Sequence, residues 1–316
     1  MCGPTLLLDT TQSLDASRHN VQSLFTLQAA TVNASLNNSC DSFDTKNMCI
    51  SAGGRYTNVD NPNSNSTSAV VVVGYKATPN IRIGGFLDQN LNNNTPSGIK
   101  VSNKHPLMGA FVIWNQNEDG LGYQFKLANA YQDRDVEITR EVFGTSEAGR
   151  GDTKLNTQSY VGELSYAFNY NDKTTLRPYL ALRHTTIKQH AYTESDIINR
   201  PLSYATLEDR STAALLGLKL NHQFTPKTTL TASLGLEQDL EHNFNDYSAT
   251  STSIFLSGLT PKNFNDNIKR TRPVTSAGAY YAISNSQRIA VDIYYQKLSF
   301  QSTGSTTAYF NYSVGF

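Results

Sequence analysis

Thr307-Ala308-Tyr309-Phe310-Asn311-Tyr312-Ser313-Val314-Gly315-Phe316 is the stretch on which the reading of this chain turns. Ala308, Phe310, Tyr312, Val314 and Phe316 fall on one face, and Tyr309, Asn311, Ser313 and Gly315 on the other. A period of two marks a strand with two different environments. A run of about ten residues is also the length that crosses a bilayer as a tilted strand. A strand running to the last residue has no tail to hide, as expected of one that closes a barrel.

The totals agree once that possibility is admitted. Among 316 residues, 26 basic side chains balance 26 acidic ones, so no electrostatic case exists for nucleic acid. Mean hydropathy is −0.42, which by itself suggests a water-soluble chain. No segment nears the roughly 18 consecutive apolar residues of a membrane helix. Membrane barrels, however, hide their apolar half by alternation. Cys40 and Cys49 flank a short stretch and read either as a small disulfide loop, suited to an oxidising periplasm, or as two free thiols. Cys2, in Met1-Cys2-Gly3-Pro4, reads as part of a cloning remnant. No zinc spacing occurs, and no metal or cofactor is expected. Leu6-Leu7-Leu8 is too short for a signal peptide, so an exported protein of this kind would be the C-terminal piece of something longer.

Thr11 to Leu36 reads as a helix, free of Pro and Gly, with Asp9 or Thr10 as its cap. Ser13, Ser17, Gln22, Ser23, Thr26, Thr31, Asn33 and Ser35 spread polarity around it. Such a helix is expected on a surface or in a wet pore, not in a dry core. From Cys49 onward the pattern is of about twelve strands. Leu230, Ala232, Leu234 and Leu236 oppose Thr231, Ser233, Gly235 and Glu237; Ile289, Val291, Ile293 and Tyr295 oppose Arg288, Ala290, Asp292 and Tyr294. Leu107–Gln116 is ambiguous. Alternation alone fits a soluble sandwich as well as a membrane barrel. The connections separate the two. Odd ones, such as Val59–Thr67, Asn92–Pro106, Phe143–Lys154, Glu194–Arg210 and His242–Thr271, are long. Even ones, such as Asn171-Asp172-Lys173 and Thr225-Pro226-Lys227, are short. One-sided long loops are the asymmetry of outer-membrane barrels.

At this point the chain resembles the translocator domain of the autotransporters, the type Va secretion family. The resemblance rests on the leading polar helix, the strands with one-sided loops, the strand Arg177-Pro178-Tyr179-Leu180-Ala181-Leu182, and the aromatic ending Tyr312-Ser313-Val314-Gly315-Phe316. It implies an all-β transmembrane fold: a 12-stranded antiparallel up-and-down outer-membrane β-barrel with an N-terminal α-helix threading the pore. The corresponding layout is 1–10 linker or cloning remnant, 11–38 pore-spanning helix and 39–316 barrel. About twelve strands leave room for little more than one helix, about 10–12 Å across. The helix would then plug the pore and connect an N-terminal passenger outside to the first strand at the periplasmic end. The implied location is the bacterial outer membrane, long loops extracellular and barrel termini periplasmic. Expected partners are outer-membrane lipid and lipopolysaccharide, the barrel assembly machinery and the chain's own passenger; a monomer is expected.

Lumen-facing candidates by strand phase are Arg55, Arg82, Asp88, Lys126, Glu163, Arg183, Lys219, Glu237, Asp239 and Asp292. Each reads equally well as a solvated strand residue. Phe310, Tyr312, Val314 and Phe316 resemble the family's assembly signal. Asn37-Asn38 is similar to the junction at which some autotransporters cleave themselves by asparagine cyclisation, for which Glu237 or Asp239 could serve as the acid; a helix-ending Asn pair is the plainer reading. Arg150-Gly151-Asp152 falls in the expected fifth loop, either an adhesion tripeptide or polar turn chemistry. Six scattered histidines, including His184, form no metal or catalytic spacing, and no catalytic residue is assigned. The alternatives are a porin-like diffusion channel, which would lack the leading helix, and an outer-membrane barrel hydrolase using a Ser or Asp with a His.

Overall fold

In a computed structural model the described residues are 3–61, 63–195 and 198–316; the Met1-Cys2 remnant reading lies outside them. The first helix, α1, runs Gly3–Ser35. Twelve long strands follow. They are β1 Met48–Val59, β2 Ser64–Thr78, β3 Ile81–Asn94, β4 Leu107–Asn115, β5 Gly122–Thr139 and β6 Arg150–Asn171. The second six are β7 Thr174–Gln189, β8 Leu207–Gln223, β9 Thr228–Phe244, β10 Thr271–Ala282, β11 Gln287–Lys297 and β12 Gly304–Gly315. Each pairs antiparallel with the next, and β12 returns to β1 with Gly315 opposite Cys49 and Val314 opposite Ile50. The sheet is therefore a closed barrel with no free edge. No described helix is long and apolar enough to cross a membrane.

The outer wall is apolar at mid-height. Tyr123, Phe125 and Leu127 on β5, Leu180 and Leu182 on β7, and Leu216 and Leu218 on β8 all point outward and are exposed. Toward the long-loop end the polarity of the two faces exchanges while the phase of the strand is kept. On β5, Val136 and Ile138 are buried inside, with Asp135 and Glu137 outside. Leu155, Ile187 and Leu207 are buried likewise, next to outward Lys154, Lys188 and Glu208. Lower down the outside is the greasy side; higher up the inside is. From Tyr123 to Asp133, ten residues climb about 33 Å along the strand, or about 25 Å of height at a tilt near 40°, the thickness of a barrel's apolar band.

Several expectations are corrected. The helix begins at Gly3, not Thr11, so residues 3–10 belong to it and not to a separate linker; Pro4 in the first turn is tolerated because its missing N–H would be free there anyway. Asp9 is no cap. It lies within the helix, and its carboxylate accepts from Thr145 N and Oγ1, both at 2.7 Å. The first connection is only 60–63, because β1 and β2 rise as far as Val59 and Ser64. Arg150-Gly151-Asp152 opens β6 in register with Thr139, Ile138 and Glu137, and Arg150 Nη2 contacts Glu137 at 2.7 Å. The tripeptide is thus extended ladder and not a loop tip. The ambiguous β4 is apolar on both faces. Met108, Val112 and Trp114 point out, while Leu107, Phe111 and Ile113 join an inner cluster with Val32, Leu36, Val70, Val72 and Phe86.

Candidate functional site: the barrel interior and its helix

The helix lies inside the barrel. From Val21 to Leu36 every residue is buried, on all sides. At about 1.5 Å per residue, its 33 residues span about 50 Å, enough to cross the apolar band and continue into the long-loop end. The expectation that so polar a helix avoids a dry core fails in its upper half. Leu14, Val21, Leu24, Phe25 and Leu27 sit in an apolar cluster with Val136, Ile138, Tyr204, Tyr247, Phe264 and Phe300. Phe25 meets Phe264 edge-on at 4.9 Å and Phe300 at 5.6 Å. The small hydroxyls tolerate this because they bond back to their own helix: Ser17 Oγ to Ser13 O at 2.9 Å, Thr26 Oγ1 to Gln22 O at 2.6 Å, Ser35 Oγ to Val32 O at 2.7 Å. Ser and Thr therefore count as polar in the sequence but not at the packed surface.

The longer polar side chains bridge helix to wall. Gln22 Nε2 donates to Phe264 O at 2.8 Å, and Gln28 Nε2 to Gln132 Oε1 at 2.9 Å. Arg134 Nη1 donates to Gln28 Oε1 at 3.2 Å, and Asn33 Nδ2 to Gln296 Oε1 at 3.3 Å. Arg18 Nη1 donates to Asn263 O at 2.8 Å. At the lower end Lys126 Nζ donates to Leu36 O at 2.8 Å, a cation on a helix C-terminus.

The ten lumen candidates all sit on the inner phase of their strands, in three groups. Arg55 and Asp88 form a fully buried pair, Nε to Oδ2 at 2.6 Å and Nη2 to Oδ1 at 3.0 Å, with Thr57 Oγ1 accepting from Nη1 at 2.7 Å. Arg183 and Arg272 share Glu237, and Arg272 also binds Asp239, Nη1 to Oδ2 at 2.7 Å. Nearer the short turns, Lys219 pairs with Glu163 beside Lys126, and Arg82 and Asp292 line the wall close to the Arg288–Asp41 pair. His242, which strand phase did not single out, joins the second group with Nε2 at 2.8 Å from Asp209 and Nδ1 at 3.5 Å from Asp239. Charges removed from water persist only when paired in this way.

The helix is followed by a turn in which Asn37 N and Asn38 N donate to Ala34 O and Ser35 O, at 3.1 and 3.0 Å. Glu237 and Asp239 are held by arginines, and among the described residues neither bonds to Asn37 or Asn38. His184 lies on the outer wall against Thr212 Oγ1 at 2.9 Å, whereas Ser159 faces inward, with its Oγ 2.7 Å from Thr185 Oγ1 and 3.2 Å from the His184 carbonyl. The Ser–His pairing weighed for a hydrolase is therefore not made there. Among the described residues no acidic, His and Cys group is placed to hold a metal. Cys40 and Cys49 are joined as a disulfide, with Cα atoms 5.8 Å apart. Phe310, Tyr312 and Phe316 are exposed on the outer wall beside Val314. On β7, the ladder with β6 lacks pairs at Arg177 and Pro178, where the proline has no N–H to give. The following Tyr179 points inward over Gly217 and Gly235 of the next two strands, and a Cβ at Gly217 would come within 2.7 Å of its hydroxyl.

A sequence profile of the autotransporter β-domain matches residues 50–296. Among solved structures, the chain is similar to the translocator domain of the autotransporter NalP from Neisseria meningitidis, at TM-score 0.64 and 16% identity over 99% of this chain and 100% of that one. It is also similar to the β-domain of the Bordetella autotransporter BrkA (0.54, 12%, 86% and 100%) and the transport unit of AIDA-I from Escherichia coli (0.51, 9%, 93% and 99%). No curated protein sequence matches.

Proposed function

This chain belongs to the autotransporter β-domain family, and from that premise we propose that it mediates secretion or surface anchoring of an N-terminal passenger, with α1 left in the bore as a plug. The family places the barrel in the bacterial outer membrane and is a family of translocators, not of enzymes. The single observation that carries the plug is the enclosure of Val21–Leu36 on every side by the barrel wall. A bore occupied by a hydrogen-bonded helix argues against the porin-like alternative, which needs a free aqueous path.

The same geometry supports an orientation. The long connections lie at the end where the outer wall becomes charged, and the helix N-terminus emerges among them, so that end faces outward. The barrel's own ends and the short turns then face the periplasm. A passenger N-terminal to α1 would leave through the loops, and Asn37–Asn38 ends the helix without taking part in cleavage. Outward Phe310, Tyr312, Val314 and Phe316 serve as the strip read by the assembly machinery, and the apolar belt contacts lipid and lipopolysaccharide. The chain acts as a monomer. Planar-bilayer recording tests the plug: the whole chain conducts little, and a barrel lacking residues 1–36 conducts as an open pore. Equal conductance from the two proteins refutes it.

A further inference from the structure

The barrel closes where β12 meets β1, and the segment between α1 and β1 runs across that seam at the short-turn mouth. Cys40 lies against β2, close enough that a Cβ on Gly74 would stand 3.2 Å from its own Cβ. The chain then passes over the end of β12. A Cβ on Gly315 would meet Ser42 O at 2.7 Å, Phe43 C at 2.8 Å and Asp44 N at 3.0 Å, so only glycine lets the strand end slide beneath. Phe316 O accepts from Lys46 N at 2.8 Å and from Met48 N at 3.3 Å, and Phe316 N donates to Met48 O at 2.9 Å. Asp41 is ion-paired with Arg288 of β11, the strand on the far side of β12. Cys49, to which Cys40 is bonded, is itself the residue of β1 opposite Gly315. The segment thus touches β2, β1, β12 and β11 in turn.

We infer that the disulfide-closed loop Cys40–Cys49 is a strap that clamps the closing seam of the barrel. A seam is the one ladder whose partners are far apart in sequence, so its end frays most readily unless something outside the ladder holds it. The bond converts a flexible crossing into a closed ring over Gly315 and ties it to the first residues of β1. Only three residues separate Leu36 from Cys40, so the same ring also fixes how far α1 can move along the bore.

The test uses the whole folded chain in lipid vesicles and reads amide hydrogen exchange strand by strand, with and without a phosphine reductant. Reduction is expected to speed exchange at Met48–Ser51 and Ser313–Phe316 by roughly tenfold, while β5 and β6 across the barrel stay unchanged. The double variant Cys40→Ser/Cys49→Ser behaves like the reduced protein and no longer responds to reductant. Gly315→Ala, with the disulfide intact, loosens the same residues by pushing the strap off. Unchanged seam exchange on reduction overturns the inference, as does an equal rise in every strand, which would mark a general loss of stability. Reduction of the already folded wild type keeps the test decisive even where a variant fails to assemble.

Discussion

Phe25→Ala separates helix docking from barrel folding. Phe25 is fully buried, edge-on to Phe264 at 4.9 Å and 5.6 Å from Phe300, so truncation opens a cavity where helix meets wall and leaves the strand ladders intact. Phe-to-Ala changes in packed cores cost about 3–5 kcal/mol, from lost transfer energy and incomplete collapse of the hole. The surrounding Leu24, Leu27 and Phe264 have little freedom to fill it, but the site borders loops, so the lower figure of about 3 kcal/mol is the better expectation. The cost falls on the equilibrium between seated and displaced helix. It lowers that ratio by roughly two orders of magnitude, since about 1.4 kcal/mol is a factor of ten. Single-channel recording shows this as a comparable rise in open probability, with the heat-resistant gel mobility of the closed barrel unchanged. Phe264→Ala should do the same, and the double variant should cost less than the sum, because the edge-on pair is lost once. Wild-type open probability with an intact barrel would mean that the aromatic cluster does not hold the helix.

Two further outcomes follow from other parts of the molecule. Burial above all, with the Glu194 carboxylate nearby, pushes the phenols of Tyr192, Tyr204 and Tyr247 in the loop core upward. A phenol that ionises later when folded adds stability in full below its unfolded value of about 10 and loses it as pH rises beyond that. The loop core should therefore become protease-sensitive only above about pH 10, with these three rings still neutral there by NMR; ordinary titration of all three near 10 in the folded protein would contradict their packing. Phe316→Ser removes the largest outward side chain at the end of the last strand and should lower the amount of barrel found in the outer membrane, read by surface labelling, whereas normal levels would deny Phe316 a part in the assembly signal.

The membrane half of the barrel was legible because lipid outside and water or helix inside impose strict period two. Leu234 with Glu237, and Val291 with Asp292, show it in the sequence and keep it in the structure. The ten inner charges could be picked by phase, but their partners could not, because Arg272 reaches Glu237 and Asp239 on a neighbouring strand through a register that only the closed sheet sets. His242 was missed for the same reason: its two carboxylates come from β8 and from three residues back on β9. The helix was misjudged in its start and in its surroundings, while its end, read at Leu36, falls at Ser35. Its start was hidden because Leu6-Leu7-Leu8 looked like a failed leader, and its surroundings because Ser and Thr satisfy themselves on the backbone. The signal for its dry upper half was present in Leu14, Val21, Leu24, Phe25 and Leu27, whose partners are loop residues remote in sequence.

Strands such as β5 solve two different solvation problems without changing phase. Between Tyr123 and Leu127 the outward side chain must suit hydrocarbon, and Lys126 between them points at the end of the helix. Between Asp133 and Glu137 the outward side chain must suit water, and Val136 between them points into a packed core. An average over the strand cancels, which is why mean hydropathy describes neither half. The residue at which the preference reverses marks the membrane surface, and it falls at a consistent height on neighbouring strands: near Tyr131 on β5, between Tyr160 and Asn156 on β6, and between Leu182 and Lys188 on β7. A porin reaching into water with the same long strands would have no reason to turn its upper inner face apolar. That face needs an apolar occupant, and the upper half of α1 supplies it. The reversal in the wall and the greasy stripe on the helix are two halves of one interface, completed by loop residues such as Tyr247, Phe264 and Phe300.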